Sequence, residues 1–373
     1  MYYEHTFEQK QLSESISRWA DKNYNFESRM KIVNSDLGFS KQVFKQLSEL
    51  GIFTIAIPEK LGGIEGNPSD LMVIMNALGK VLILEPVLQT ILGIEFLKLS
   101  DKFNSIFSRV NNGELVLACA LEELNSRYDL NHVETRIHSD NDYFIVNGIK
   151  SFITYGKQSD WLIISARVDG KKNDKKGIFL LFIPSDLEGI VFKDCRSNDG
   201  RRVANIIFKN VKVPKKNLIS SEDKSWEIID KVIDYGRFLI CCEAIGILEM
   251  MNNLTLEYVK NREQFGMPIG KFQVSQHRLV DMFIHFEQAK STVSLSASKV
   301  LSSDEHERKK IVSATKFRVG EAMKYIGQQS IQLHGGMGVS NEMLIGHFFK
   351  RLSIIELTYG DSNFHLERFA SES

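Results

Sequence analysis

Charge of one sign is missing from this chain of 373 residues: 47 Lys and Arg face 47 Asp and Glu, for a formal net charge of zero. That balance removes the electrostatic case for general nucleic-acid binding, which needs a surplus of cations facing phosphates. Cysteine and proline are scarce, at 4 and 6. Cys119, Cys195, Cys241 and Cys242 fall in no CxxC or Cys/His ligand spacing, so they read as thiols of a reducing compartment. A run of 18 apolar residues is lacking, and the opening MYYEHTFEQKQLSES has no cationic region followed by an apolar one. Neither a secretory signal nor a membrane span is expected, and the chain reads as cytoplasmic. What the chain does have is length and 43% apolar residues, too much for disorder and enough for two or three domains.

The hydrophobic period changes twice. To about residue 118 it is helical: Phe39, Val43, Leu47 and Leu50 recur one turn apart, and Gly51 ends the pattern. Pro58 and Gly62-Gly63 then break the helix, and a new one starts with Ser69 or Asp70 as its N-cap. From 119 to 220 the runs have strand length, and Asn147-Gly148 between two β-prone stretches signals a hairpin turn. From 221 to 373 the helical period returns, with Leu279, Met282, Phe286, Ala289 and Val293, then Val319, Ala322, Ile326 and Leu333. The architecture expected is a helical N-terminal domain (1–118), a middle β domain (119–220) and a C-terminal helical bundle (221–373).

Common catalytic signatures are absent: there is no metal cluster, GxSxG, Walker loop or GxGxxG. Two medium-length motifs remain. In NREQFGMPIGKFQ, Arg262 beside a turn suits a phosphate, while Phe265, Phe272 and Gln273 suit a flat ring with hydrogen-bonding edges. A plain helix–helix connection accounts for the spacing as well. In QLHGGMGVS, Gly335-Gly336 reads either as a helix C-cap or as backbone open to a ligand.

The order of the motifs adds what none carries alone. LGIFTIAIPEKLGG, NGIKSFITYG, NVKVP, YGRFLICCEAIG, NREQFGMPIGKFQ, LHGGMG and a Tyr-Gly-Asp-Ser turn follow one another in a sequence that resembles the acyl-CoA dehydrogenases. That resemblance implies an N-terminal helical domain, a middle β-barrel domain and a C-terminal four-helix bundle, with FAD as cofactor, an acyl-CoA substrate and an electron-transferring flavoprotein as acceptor. It implies that Phe152 packs on the flavin ring, that Thr154 hydrogen-bonds beside its reactive nitrogen, and that Arg262, Phe265, Phe272, Gln273, Gln332, Gly335 and Gly336 hold the rest of the cofactor across a subunit interface. Arg237 matches a residue near the thioester.

Three segments depart from the family pattern. ALEELNSRYDL stands where Thr-Glu-Pro and Gly-Ser-Asp are usual, with Glu122 read as the position retained and with Asn125, Ser126, Arg127 and Tyr128 in place of small residues. The two places that usually supply the catalytic Glu hold Gly360 and Gly236. Asp361 is then the candidate base, as the carboxylate of that turn, or it closes the turn or caps a helix. The ending resembles a branch whose members often act as one subunit of a two-component dehydrogenase, so the assembly implied is a homotetramer or a heteromer with a related subunit. The functions implied are acyl-CoA dehydrogenation, a catalytically reduced partner role, or flavin monooxygenase-like chemistry.

Overall fold

The computed structural model describes residues 5–220 and 224–372. Contacts group the chain into two compact units that each take several stretches of it. The helical unit comprises Met1–Arg29, Asn67–Ile83 and Asp234–Ser373; the β unit comprises Met30–Gly66 and Leu84–Ile233. The change of period marks consecutive segments, whereas packing sorts the residues by which core they enter.

The helices are α1 (Phe7–Asn23), α2 (Phe26–Val33), α3 (Lys41–Glu49), α4 (Ile52–Ala56), α5 (Pro68–Lys80), α6 (Val87–Leu97), α7 (Asn104–Asn111), α8 (Ser225–Asn261), α9 (Gln273–Ala297), α10 (Glu305–His334), α11 (Leu344–Leu357) and α12 (Ser362–Ser371). In the helical unit α10 is central, with α9, α11 and α12 packed on it. Met282, Phe286, Ala289 and Val293 of α9 and Val319, Ala322 and Ile326 of α10 are buried, as their spacing requires. The N-cap of α5 lies earlier than expected, at Asn67, which forms a capping box with Asp70 while Pro68 opens the helix. Helix α8 is long and apolar enough to cross a membrane, but 67% of its most apolar window is buried in protein, as befits a core helix.

The β unit is built on one eight-stranded sheet of β1 (Leu117–Ala120), β2 (Arg136–Asp140), β3 (Tyr143–Thr154), β4 (Trp161–Arg167), β5 (Ile178–Pro184), β6 (Ile190–Arg196), β7 (Arg202–Pro214) and β8 (Leu218–Ser220). Its order is β6-β7-β3-β2-β4-β5-β8, and β1 runs parallel to β4. Alternate residues such as Phe144, Val146, Leu162, Ile164, Leu181 and Ile206 fill its core. Arg167 is also buried there, and its guanidinium donates to the carbonyls of Asn131, Lys172, Asp174 and Lys176, tying down the Lys-rich loop after β4.

Asn147-Gly148 is not a hairpin turn. It lies inside the continuous strand β3, at a register shift against β7. The turn joining β2 to β3 is instead Asn141-Asp142, where Asn141 has φ 48°. Gly148 serves close approach: a Cβ there would lie 2.6 Å from Thr135 Cα. Asn147 stays at the surface and trades hydrogen bonds with Asn210 across the strand pair. The Asn-Gly signal reports tolerance of unusual backbone, which a bulge needs as much as a turn does.

Candidate functional site

In the β unit the sequence singles out Phe152 and Thr154, and both lie at the end of β3. Lys150 pairs with Ile206 of β7 and Ile153 with Ala204, so Ser151 and Phe152 together oppose Asn205 in a two-against-one bulge. Phe152 has φ 61° and its ring is exposed, at 63% of its maximum. A bulky residue in the left-handed region is strained, and it persists where its surroundings over-determine it. Thr154 follows Ile153 in the resumed ladder, opposite Val203. Tyr155, next in sequence, also has a left-handed backbone (φ 55°) but is fully buried, and its hydroxyl donates to the carbonyls of Gly38 and Leu84.

A buried ion pair, which sequence reading missed, lies behind this strand. Lys150 Nζ donates to Glu123 Oε1 (2.8 Å), Ser165 Oγ (2.9 Å) and Leu121 O (3.2 Å). Glu123 also accepts from Thr135 N, Thr135 Oγ1 and Glu134 N. Burial would raise the Glu123 pKa, but the Lys150 ammonium and these donors outweigh it and hold the carboxyl below its usual range. Of the two neighbouring acids it is Glu123 that enters this pair. Glu122 contributes its carbonyl, which accepts from Ser151 N (2.9 Å). The signal available in sequence was the lysine itself, set among apolar residues of a strand.

The other named groups lie in the helical unit. After α8 ends, Glu263-Gln264 pairs with Met267-Pro268 in a two-stranded hairpin whose turn is Phe265-Gly266, with φ of 56° and 78°. Two successive positive φ values give the tight turn that suits strand twist, normally with Asn or Gly at the first place. Here that place is Phe265, 89% exposed, its ring edge-on to Phe272 at 6.1 Å. Phe272 is the N-cap of α9 and Gln273 its first residue. Arg262 lines a groove of about 510 Å³ with Tyr258, His334 and Leu344. His334 stacks on Tyr258 at 4.2 Å and its Nδ1 is 2.8 Å from Ser330 O, so it packs the groove wall. Gly335 caps α10, and a Cβ on Gly335 or Gly336 would meet nothing within 4 Å, leaving this backbone open to an approaching ligand. Gln332, in the last turn of α10, is exposed.

The turn at 359–362 is densely held within the same unit. Arg237 Nε donates to Tyr359 O (2.8 Å) and its Nη1 to Asp234 Oδ1 (2.9 Å). Glu356 accepts from Ser362 N (2.8 Å) and Ser362 Oγ (2.5 Å), and Lys316 Nζ donates to Ile355 O (2.7 Å) and Glu356 O (3.1 Å). Asp361 is the N-cap of α12 and accepts from Phe364 N (2.8 Å). Gly360 has φ 117°, and a Cβ there would lie 2.5 Å from Phe364 Cδ1 and 2.6 Å from His365 Nε2. Asp234 gathers Arg237, Arg308 and Arg368, whose charges outweigh its burial and hold it far below the usual carboxylate range. Burial, helped by Arg237, Lys316 and Arg368, pushes His365 well below its ordinary pKa. Among the described residues no group of three His, Cys, Asp or Glu is placed to hold a metal ion.

Within the helical unit, an arginine-lined groove and an open glycine pair are features able to receive a phosphate-bearing ligand. Comparison with known proteins places the whole chain in a family. Family profiles match for the acyl-CoA dehydrogenase N-terminal domain over residues 6–95, the middle domain over 118–211 and the C-terminal domain over 223–373. The chain belongs to the acyl-CoA dehydrogenase family, FAD-dependent oxidoreductases acting on the CH–CH group of acyl-CoA. It is 28% identical to a 3-(aryl)acrylate reductase of Clostridium sporogenes, covering 88% of this chain and 89% of that one. To a probable acyl-CoA dehydrogenase of Bacillus subtilis, YngJ, it is also 28% identical, over 97% of each. The caffeyl-CoA reductase-Etf complex subunit CarC of Acetobacterium woodii is 26% identical, over 95% of each chain. In fold it is similar to a chain of the ChsE4-ChsE5 complex of Mycobacterium tuberculosis, with a TM-score of 0.89 at 20% identity over 100% of this chain and 98% of that one.

Proposed function

We propose that this chain dehydrogenates an acyl-CoA thioester to the α,β-enoyl-CoA and that the electrons pass on to an electron-transferring flavoprotein. The observation that carries the reading is Phe152, turned out of β3 on a left-handed backbone one residue before Ile153 returns to the core. Such an aromatic offers a flat apolar platform to a ring system, and Thr154 two residues on offers a hydroxyl. Arg262, Phe265, Phe272 and Gln273, with Gln332, Gly335 and Gly336, would hold the pyrophosphate and adenosine part for a neighbouring copy. FAD, when bound, accepts the substrate's β-hydrogen as hydride. The chain's own task is to take the α-proton, and Asp361 is the carboxylate proposed for it. Arg237, Glu356 and His365 hold the turn that presents Asp361.

A second reading has its own support. Asp361 already caps α12, and Gly360 leaves no room for a longer acid beside it. On that reading the chain is the catalytically reduced subunit of a heteromeric dehydrogenase and completes a relative's site. Asp361→Asn separates the two, because Asn caps a helix as well as Asp does while it cannot take a proton. With flavin bound and air excluded, loss of flavin bleaching by acyl-CoA at unchanged stability supports Asp361 as the base. Undiminished bleaching would exclude it. The mass and flavin content of the chain purified alone and after co-expression with a related subunit separate the homomer from the partner role.

A further inference from the structure

Lys150 and Phe152 are two residues apart in one strand. In a regular strand alternate residues share a face, so Phe152 would point into the core beside Lys150. Lys150 is fully buried, yet Phe152 is exposed, and the next buried residue is Ile153. The extra residue of the bulge is therefore what turns the aromatic outward. It does so at a cost: at the bulge the backbone N–H groups of Ser151 and Phe152 need acceptors from outside the regular ladder.

Both find one. Ser151 N donates to Glu122 O (2.9 Å), and Phe152 N donates to Asn205 Oδ1 (3.0 Å). Asn205 is a residue type that strands disfavour, placed opposite the bulge in β7. The loop that supplies Glu122 O is fastened in turn to the same strand through Lys150, which binds Leu121 O and Glu123 Oε1. We infer that Asn205 and the buried Glu123–Lys150 pair are positioning residues for the cofactor: they hold the 151–152 bulge and thereby the direction of Phe152. This rests on the reading that Phe152 faces the flavin ring.

The test uses the purified full-length chain, stripped of flavin and titrated with FAD, with the visible circular dichroism of bound flavin as a second readout. Asn205→Ala should weaken FAD binding about tenfold, the effect of losing one well-placed hydrogen bond. Asn205→Asp, which keeps the acceptor, should stay within about threefold and keep the dichroic spectrum, a rescue that a general packing role would not show. If Asn205→Ala unfolds, the double variant Glu123→Gln/Lys150→Met serves, because it removes both buried charges while Gln still accepts from Thr135. That variant should be folded but bind FAD about tenfold more weakly, with altered dichroism. Phe152→Ala is the control for the underlying reading. If it weakens FAD binding while Asn205→Ala and the double variant stay within twofold, the positioning role is overturned and the flavin reading stands. If Phe152→Ala itself changes neither affinity nor spectrum, the flavin reading fails.

Discussion

Phe152 and Phe265 are both aromatic, both exposed and both in the left-handed region, at φ 61° and 56°. Their support differs. Phe152 stands on a bulge fastened by a side-chain amide, a neighbouring loop carbonyl and a buried ion pair. Phe265 sits at the tip of a hairpin of two residues per strand, with the ring of Phe272 edge-on to it. The first is pre-organised by its own chain. The second has the character of a group whose counterpart comes from elsewhere, consistent with the proposal that it serves a neighbouring subunit. Strain alone does not mark a site, since buried Tyr155 has it too.

The largest effect that could break this contrast is at Lys150. Lys150→Met leaves Glu123 buried without its cation and should lower the unfolding free energy by about 3–5 kcal/mol, read from urea unfolding, with part of it recovered by adding Glu123→Gln, which removes the stranded charge and keeps an acceptor for Thr135. A loss below about 1 kcal/mol would show that the bulge does not depend on the pair. Gly360→Glu, which places a side chain where Phe364 and His365 already are, should cost roughly 2–4 kcal/mol and should not raise activity. A stable, more active variant would mean that the turn can open to accept the family's usual acid.

A pH titration probes the cationic surroundings of the same turn. His365 is neutral when folded because its pKa lies well below 6.5, whereas in the unfolded chain it protonates near 6.5. The unfolded state therefore binds the extra proton, and stability falls as pH drops below about 6.5, by up to ~1.4 kcal/mol per pH unit for this group. Melting temperatures from pH 8 to 5 check it, and His365→Gln should flatten that part of the slope. The smallest effect is expected at the exposed hairpin. Phe265→Gly relieves a left-handed side chain and should leave stability equal or higher by about 1 kcal/mol, while flavin retention falls. If stability falls instead, Phe265 is a packing residue and the contrast with Phe152 dissolves.

Much of the fold was legible because burial follows period. Met282, Phe286, Ala289 and Val293 enter the core as their spacing demands, and Asp361 as a possible helix cap could be named from its turn. Asn147-Gly148 misled because tolerance of positive φ does not say whether a turn or a bulge will use it. Asn205 and the Glu123–Lys150 pair were invisible for another reason: their partners are 53 and 27 residues away in the chain. The knot of Arg237, Arg308 and Arg368 around Asp234 draws on three helices, and only its Asp234–Arg237 step has a local spacing.

By itself the amino-acid order determined the family, the succession of helical and extended segments, and which aromatics, glycines and acids could serve a flavin and a thioester. These depend on residue type and local period, which survive in one dimension. The tertiary structure alone decided that Phe152 faces outward while Lys150 two residues before it is buried, and that Arg237, Arg308 and Arg368 gather on Asp234. Each of those is settled by what lies across a strand pair or between helices, and close packing gives a side chain no place until its distant neighbours have taken theirs.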